Sequence, residues 1–590
     1  MDKKIYAERI LSLQKRMRVD GIKAYVIPAT DPHLSESYCD HFGCLRKYFC
    51  SFSGQDGTLL VTQDESFLYT DGRYWVAAEI ELNNTPTKLV RDGKPGVPSL
   101  PEFVKRNELY PLGMDTSLFS IDSLREFYLD ERHKIVDIDY AFLVEKRPTL
   151  PKEKIFKVKD SLLSKTLDER VEELLEKTKE EGAESLFLSA LDEISYVLGY
   201  RGKDIPYTPV FYSYLMISKD GSLDLFLDLD KLPEDFDRER IHVHPYEEVF
   251  SFLQKRAEKI LIDPKKTNSK VYSTIKNKVL KTSPCYLVKA VKGPVEIKNT
   301  KYVHELDGIA VLKLMKFLDD NLKDRDIDEL EVCDFLKATR LLNPLCYDLS
   351  FATIAAVDSN GPMMHYEPTE KNHAPFTKDS LTLLVDSGGQ YYGGTTDITR
   401  TFLGRFDKEV QHDFTLTLKS QIALSRVVFM KGCSGHAIDL SAREVMWREG
   451  LDYKCGTGHG VAYMGPVHEG PIGFRYYTTK QRDDNGVLVP GHVITIEPGV
   501  YKTGKYGIRL ENELLVVPAY ESEDGSFLRF ETITYCPYDR KGIDVTMLDE
   551  SELIWLNDYL KTVEEKLAPH LANDPELLSY LKEQCEPFTR

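Results

Sequence analysis

The spacing of hydrophobic residues changes several times along the chain, and the changes mark its parts. "MDKKIYAERILSLQKRMRVDG" is charged, with apolar residues three and four apart, and predicts an amphipathic helix. "KAYVIPATDPH" (Lys23 to His33) reads as a strand running into a turn. "GTLLVTQDESFLYTDGRYW" (Gly57 to Trp75) reads as two strands around a QDES turn. The same texture returns about one domain later. "ESLFLSALDEISYVLGYRG" (Glu184 to Gly202) repeats strand, Ala-x-Asp and helix, and "YLMISKDGSLDLFLDLD" (Tyr214 to Asp230) repeats the hairpin around KDGS. Ala29-Thr30-Asp31 aligns with Ala190-Leu191-Asp192 at an offset of 161, and Asp64 with Asp220 at 156. Offsets this close predict two copies of one α/β fold.

After "LVKAVKGPVEIKNT" (Leu287 to Thr300) the pattern changes, and Pro294 sits in a polar stretch suited to a linker. A long amphipathic helix, "KYVHELDGIAVLKLMKFLDDNL", follows. A β-rich region then runs from Asp348 to about Pro518, interrupted by helices near Glu409 to Phe429 and Ala437 to Glu449. The tail from Glu531 contains one more helical pattern, "MLDESELIWLNDYLKTVEEKLAPHL". The expected domains are 1–155, 156–291, 292–525 and 526–590.

Within the β-rich region, "LLVDSGGQYYGGTTDITRTF" (Leu383 to Phe402) has paired glycines on both sides of two tyrosines, which predicts a β-hairpin. A turn centred between Tyr391 and Tyr392 would set Asp386 and Asp397 directly opposite each other on one face. Like charges so placed destabilise a hairpin, so something positive is expected between them. "VITIEPGVY" places Glu497 at the end of an apolar strand, and "YGIRLENELLVV" places Glu511 inside another. The two are symmetric about Gly504, so a second hairpin would bring them face to face. Four carboxylates in apolar strands need compensation. Arg400 falls on the opposite strand face from Asp397, and few other cations lie nearby in the sequence. Two divalent metal ions balance four carboxylates, and a bridging hydroxide leaves the site near neutrality. With one imidazole, His459 of "CGTGHGVAYMGPVHEGP", the donors are mainly oxygen, which suits Mn²⁺; Co²⁺, Fe²⁺ and Zn²⁺ stay open. Each residue alone has an ordinary reading as a turn, surface or core residue. Their joint order, with each acid in an apolar strand, argues for the metal site.

Composition narrows the class further. The 590 residues are 42% hydrophobic and 29% charged, as in a globular protein of several domains. A net charge of −18 disfavours binding nucleic acid through its phosphates. No internal apolar run is long enough to span a membrane. The first residues lack the apolar core of a secretory signal. Ten cysteines without CxxC spacing fit a reduced compartment. The expectation is a cytoplasmic protein that binds neither nucleic acid nor membrane.

"VDSGGQYYGGTTDITRT", "GTGHGV", "VHEGP", "IEPGVY" and "GIRLENELLVV" resemble the pita-bread metallopeptidases, which include methionine aminopeptidases, prolidases and aminopeptidase P. "YTDGRYW" and "ALDEISYVLGYRG…PVFYSY" look like the three-domain cytosolic aminopeptidase P family in particular. This implies two creatinase-like N-terminal α/β domains, a pita-bread catalytic domain and a short C-terminal extension. By resemblance, Asp386 chelates one metal, Asp397 and Glu511 bridge both, His459 is the single histidine ligand, and Glu497 is a ligand that also handles protons. His365 and His468 match outer histidines beside the substrate, and Arg509 an arginine next to the metal-binding glutamate. Phe351 belongs to the neighbourhood of a proline pocket, and Arg73 either reaches the substrate or makes a supporting salt bridge. Trp447 resembles a dimer-contact tryptophan, with core packing as the alternative. There are departures. Cys455 stands where another histidine is usual, and Ala462 where glycine is.

The resemblance implies cleavage of the first residue from peptides with N-terminal Xaa-Pro, by a metal-bridging hydroxide, in a homodimer. His365 and His468 would stabilise the oxyanion, and Glu497 would carry the proton. A prolidase limited to Xaa-Pro dipeptides is the alternative within the same chemistry. A pita-bread domain that only binds, without catalysis, is the alternative from another class.

Overall fold

The computed structural model describes residues 3–477 and 485–590. It divides into two compact units. One comprises Met1–Val158 with Lys165–Tyr286, the other Lys159–Ser164 with Leu287–Arg590.

The first unit contains two six-stranded sheets. The first is built from β1 (Ala24–Ile27), β2 (Thr58–Thr62), β3 (Ser66–Thr70), β4 (Thr87–Arg91), β5 (Leu112–Met114) and β6 (Ile135–Asp137). The second is built from β7 (Ser185–Leu188), β8 (Ser213–Ile217), β9 (Leu223–Leu227), β10 (Ile241–Pro245), β11 (Ile260–Ile262) and β12 (Lys278–Leu280). Their orders, β4-β3-β2-β1-β5-β6 and β10-β9-β8-β7-β11-β12, are the same. So are their strand directions, an antiparallel three-strand meander extended by parallel strands on both sides. The repeat seen in the sequence is therefore a repeat of topology. Strands β1 and β7 are buried at every position, which is why they read as continuous apolar runs. The two sheets share a buried polar joint. The His33 ring nitrogens lie 2.8 Å from the Ser189 carbonyl and 2.7 Å from the Tyr246 hydroxyl. Burial holds that histidine neutral, with its pKa lowered to about 3.

The second unit opens on a helix of 28 residues, Pro294–Asn321. Pro294 is its first residue and not part of a linker. Proline lacks only an N–H that the first helical turn cannot use anyway. The Glu296 carboxylate accepts the Gly293 N–H at 2.7 Å and closes that end. The helices expected near 409–429 and 437–449 span Lys408–Ser425 and Gly435–Arg448. The helix Glu550–Leu567 begins at Asp549, whose side chain accepts the Glu552 N–H. It buries Leu556, Leu560, Val563 and Leu567 against Phe414, Leu418 and Ile422. Each such leucine contributes roughly 1.5–3 kcal/mol of transfer free energy. This core supports two sheets. One is β13 (Ile354–Val357), β14 (Thr382–Ser387) and β17 (Ile398–Leu403), with β15 (Gly389–Tyr391) and β16 (Gly394–Thr395) forming the tip between β14 and β17. The other takes in β18 (Val428–Met430), β19 (Gly458–Gly460), β20 (Glu469–Phe474), β21 (Val493–Ile496), β24 (Asn512–Ser522) and β25 (Gly525–Thr532), in the order β18-β25-β24-β21-β19-β20. Between β21 and β24 lies the hairpin of β22 (Gly499–Lys502) and β23 (Tyr506–Arg509).

All ten cysteines are free. No helix among the described residues is long and apolar enough to cross a membrane.

Candidate active site

The first hairpin differs from its expected register by one residue. Asp386 pairs with Thr399, and the tip pairs Gln390 with Thr395 and Tyr391 with Gly394. The turn is therefore centred between Tyr392 and Gly393. Gly393 closes it at φ 130°, a conformation side-chain-bearing residues rarely adopt. Asp397 falls opposite Gly388, where a Cβ would come within 1.8 Å of the Thr396 carbonyl oxygen. Asp386 and Asp397 are diagonal neighbours on one face and not directly opposed.

The second hairpin has the expected symmetry about Gly504. Gly499 pairs with Arg509, and beyond a break Ile496 pairs with Asn512. Glu497 and Glu511 face each other in the break. There Pro498, which has no N–H, interrupts the ladder, and the Leu510 N–H reaches its carbonyl at 3.4 Å. The Glu497 N–H donates to the Thr457 carbonyl at 2.8 Å, and the His459 N–H to Thr495 Oγ1 at 3.1 Å. These bonds hold β19, with His459, beside Glu497.

Strand β17 laces the two hairpins together. The Glu511 N–H donates to the Thr399 carbonyl at 3.0 Å, and Arg400 Nη1 donates to the Glu511 carbonyl at 2.7 Å. Thr399 Oγ1 donates to Glu511 Oε2 at 2.7 Å, and the Asp397 N–H to Glu513 Oε1 at 2.7 Å. As a result Asp397, His459 and Glu511 each offer a ligand atom, all within 4.8 Å of one another. Glu497 joins them, its Oε1 3.6 Å from His459 Nε2. Asp386 is tied in through Arg509, whose Nη2 donates to Asp386 Oδ2 at 2.5 Å.

The electrostatics of this cluster fit cations. Burial, then the charges of Asp386, Glu497 and Glu513, push the Asp397 pKa well above the usual carboxylate range. Burial, then Asp397, Glu497 and Asp386, do the same to Glu511. Asp386 Oδ1 and Asp397 Oδ1 are buried and make no hydrogen bond. His459 Nδ1 lies 3.1 Å from the Gly460 carbonyl, which places a proton there and leaves Nε2 with its lone pair. That lone pair faces Asp397 Oδ2 at 3.5 Å and Glu497 Oε1 at 3.6 Å, too far for hydrogen bonds. Acceptors aimed at one another across such gaps are a donor set for metal ions. Four carboxylates and an imidazole could hold two divalent cations.

Arg509, expected beside Glu511, has Asp386 as its partner, a pairing that local sequence did not reveal. Burial works against its charge, but Tyr501, Asp386, Glu497 and Glu511 keep its pKa well above the ordinary value. Its Nε and Nη1 also contact Thr399 Oγ1 and the Tyr501 hydroxyl, each at 3.1 Å. The guanidinium is thus committed to Asp386, Thr399 and Tyr501. Arg400 points the other way, as expected, and donates to the carbonyls of Pro537, Cys536 and Thr399.

His468 lies against the cluster, its ring edge-on to that of His459 with centroids 4.3 Å apart. Phe351 precedes β13 at the end where Ile354 pairs with Asp386. His365 follows β13 in an exposed turn. Arg73 belongs to the first unit, where its Nη2 bonds Asp71 at 2.7 Å and Asp56 at 2.8 Å, the supporting salt bridge of its two readings. Cys455 packs with Met446, Tyr453 and Val500, and burial pushes its thiol up to about 12. Ala462 is buried. Trp447 is 40% exposed, edge-on to Tyr476, which corrects the core-packing alternative.

Some supporting residues escaped the sequence reading. Glu513 takes the Asp397 amide and pairs with His304 Nε2 at 3.1 Å. Its signal was present in the alternation Glu511-Asn512-Glu513, which sets both acids on one face. His304, on the long helix, carried none.

Known proteins share this architecture. The model for metallopeptidase family M24 matches residues 298–518, and that for its C-terminal region 526–588. Models for the creatinase/prolidase N-terminal domain match 9–144 and 146–296. Xaa-Pro aminopeptidase 1 of Dictyostelium discoideum is 34% identical, over 100% of this chain and 97% of its own. A probable Xaa-Pro aminopeptidase P of Laccaria bicolor is 33% identical, over 98% and 93%. The crystal structure of X-prolyl aminopeptidase from Caenorhabditis elegans, described as a cytosolic enzyme with a di-nuclear active site, superposes with a TM-score of 0.93. It covers 100% of both chains at 31% identity. Two creatinase-like domains, the M24 fold and full-length identity above 30% with these relatives agree: the chain belongs to the aminopeptidase P family of M24 metallopeptidases.

Proposed function

We propose that this protein removes the N-terminal residue from peptides with proline in second position, using two divalent cations held by Asp386, Asp397, His459, Glu497 and Glu511. The convergence of Asp397, His459 and Glu511, with buried Asp386 and Asp397 oxygens that make no hydrogen bond, carries the reading. Full-length similarity to proteins named Xaa-Pro aminopeptidases supports the substrate class. When bound, such cations acidify water and polarise a carbonyl.

The chain's own residues supply the rest. Asp397 and Glu511, buried and laced by Thr399 and Glu513, form the rigid centre. Glu497 has the more open side chain, 20% exposed against 6% for Asp397, and is the group to accept a proton from water and return it to the leaving nitrogen. His468 and His365 donate to the oxygen on which negative charge develops. An Xaa-Pro bond has no N–H. A site that uses no such donor and offers Phe351 to the pyrrolidine ring favours it.

Mn²⁺ is the proposed metal, since the donors are mainly oxygen. The proposed location is the cytoplasm, supported by ten free cysteines and by the description of the C. elegans relative. The proposed assembly is a homodimer, supported by the exposed aromatic group Trp447, Tyr476 and Tyr477.

The test is a comparison of Arg-Pro-Pro with Arg-Pro. Release of arginine from the tripeptide, at a kcat/KM well above that for the dipeptide, supports the proposal. Turnover of the dipeptide alone would make the protein a prolidase, and turnover of neither would overturn both.

A further inference from the structure

The loop that presents His468 is anchored on both sides. On one side Gln390 Nε2, from the tip of the first hairpin, donates to the Gly465 carbonyl at 2.8 Å, and the Gly465 N–H donates to Thr395 Oγ1 at 3.2 Å. Immediately before these anchors, Met464 is held at φ 48°, a conformation costly for a side-chain-bearing residue. On the other side Glu469, next to His468, meets two lysines. Lys289 Nζ donates to its Oε1 at 2.7 Å, and Lys292 Nζ donates to its Oε2. All three side chains are at most 4% exposed. Lys292 is itself fixed, by Nζ to the Ala290 carbonyl and by its N–H to the Gly491 carbonyl, each at 3.0 Å.

Buried lysines are scarce, and two sharing one carboxylate are costly to assemble. Their stretch makes the cost informative. Lys289 and Lys292 lie within residues 146–296, matched by the second creatinase/prolidase model, yet they pack in the catalytic unit, which resumes at Leu287. A catalytic domain cut where the M24 match begins, at 298, would bury Glu469 without either partner.

We infer that Lys289, Lys292 and Glu469 form a clamp that positions His468 for the proposed peptidase reaction. This rests on the role proposed for His468. The clamp residues act through the histidine: they set where it stands relative to His459. A displacement of about 1 Å at such a donor can cost up to about a hundredfold in rate.

The experiment measures kcat and KM for Arg-Pro-Pro, with bound metal and melting temperature, for the parent, Lys289→Met, Lys289→Arg, His468→Ala and the double variant Lys289→Met/His468→Ala. The clamp predicts that Lys289→Met lowers kcat about ten- to a hundredfold, with KM and metal content near those of the parent. Lys289→Arg should recover most of the loss, and the double variant should be no slower than His468→Ala alone. Lys292→Met, which leaves one lysine for one carboxylate, is read by the same criteria if Lys289→Met does not fold. Parent-like kcat in the lysine variants, a silent His468→Ala, or losses that multiply in the double variant would overturn the clamp. An inactive parent would instead overturn the peptidase reading.

Discussion

Arg509 Nη2 donates to Asp386 Oδ2 at 2.5 Å, joining the second hairpin of the site to the first. The two residues are 123 positions apart in sequence, and both are buried. The pair answers the charge problem that the acids pose. On the proposed reading, two divalent cations would balance four carboxylates, and the arginine's charge would offset that of a hydroxide.

Replacing Arg509 by Met should strip Asp386 of its partner and weaken binding of one cation. The expected result is fewer than two metal ions per chain and a loss of at least about a hundredfold in kcat/KM, in line with the several kcal/mol lost on breaking a buried pair. Lys at this position keeps the charge but not the planar fork that also reaches Thr399 and Tyr501. It should fall between the two. Metal analysis of the purified variants checks this.

Metal-free protein should be more stable in mild acid than at neutral pH. Asp397 and Glu511 have folded pKa values raised above the usual carboxylate value of about 4. Their contribution is intact below that value and is lost as pH rises through the raised folded values. Melting temperature in chelator should therefore fall between pH 5 and pH 8. Added Mn²⁺ should raise it more at pH 8, because ligands must be deprotonated to bind. Asp397→Asn should flatten the curve of the metal-free protein.

Cys455 is expected to be dispensable. Its thiol, pushed up to about 12 by burial first and then by Glu497, stays protonated at neutral pH and is a poor ligand. Cys455→Ala should keep kcat/KM within about threefold of the parent, the range expected for removing one small packing group. Loss of metal in that variant would show that the sulfur coordinates.

What the sequence disclosed follows from where each signal sits. Symmetry about Gly504 was readable because both arms of that hairpin run in register up to Glu497 and Glu511. The first hairpin slipped by one residue because four glycines in "SGGQYYGG" allow more than one turn, and only the fit of Gly388 against Thr396 selects one. Pro294 read as a linker because local polarity cannot tell a first helical turn from a loop. The partners of the acids were hidden for another reason. Arg509 meets Asp386, and His304 meets Glu513, across chain separations that no local pattern records.

The most direct test of the account is a metal titration. Chelator-treated protein is assayed on Arg-Pro-Pro while Mn²⁺ is added in sub-stoichiometric steps at a protein concentration far above the dissociation constant. Five ligands around a pair of cations predict no activity without metal and a plateau at two equivalents per chain. Full activity in chelator, or a plateau at one equivalent, would contradict it.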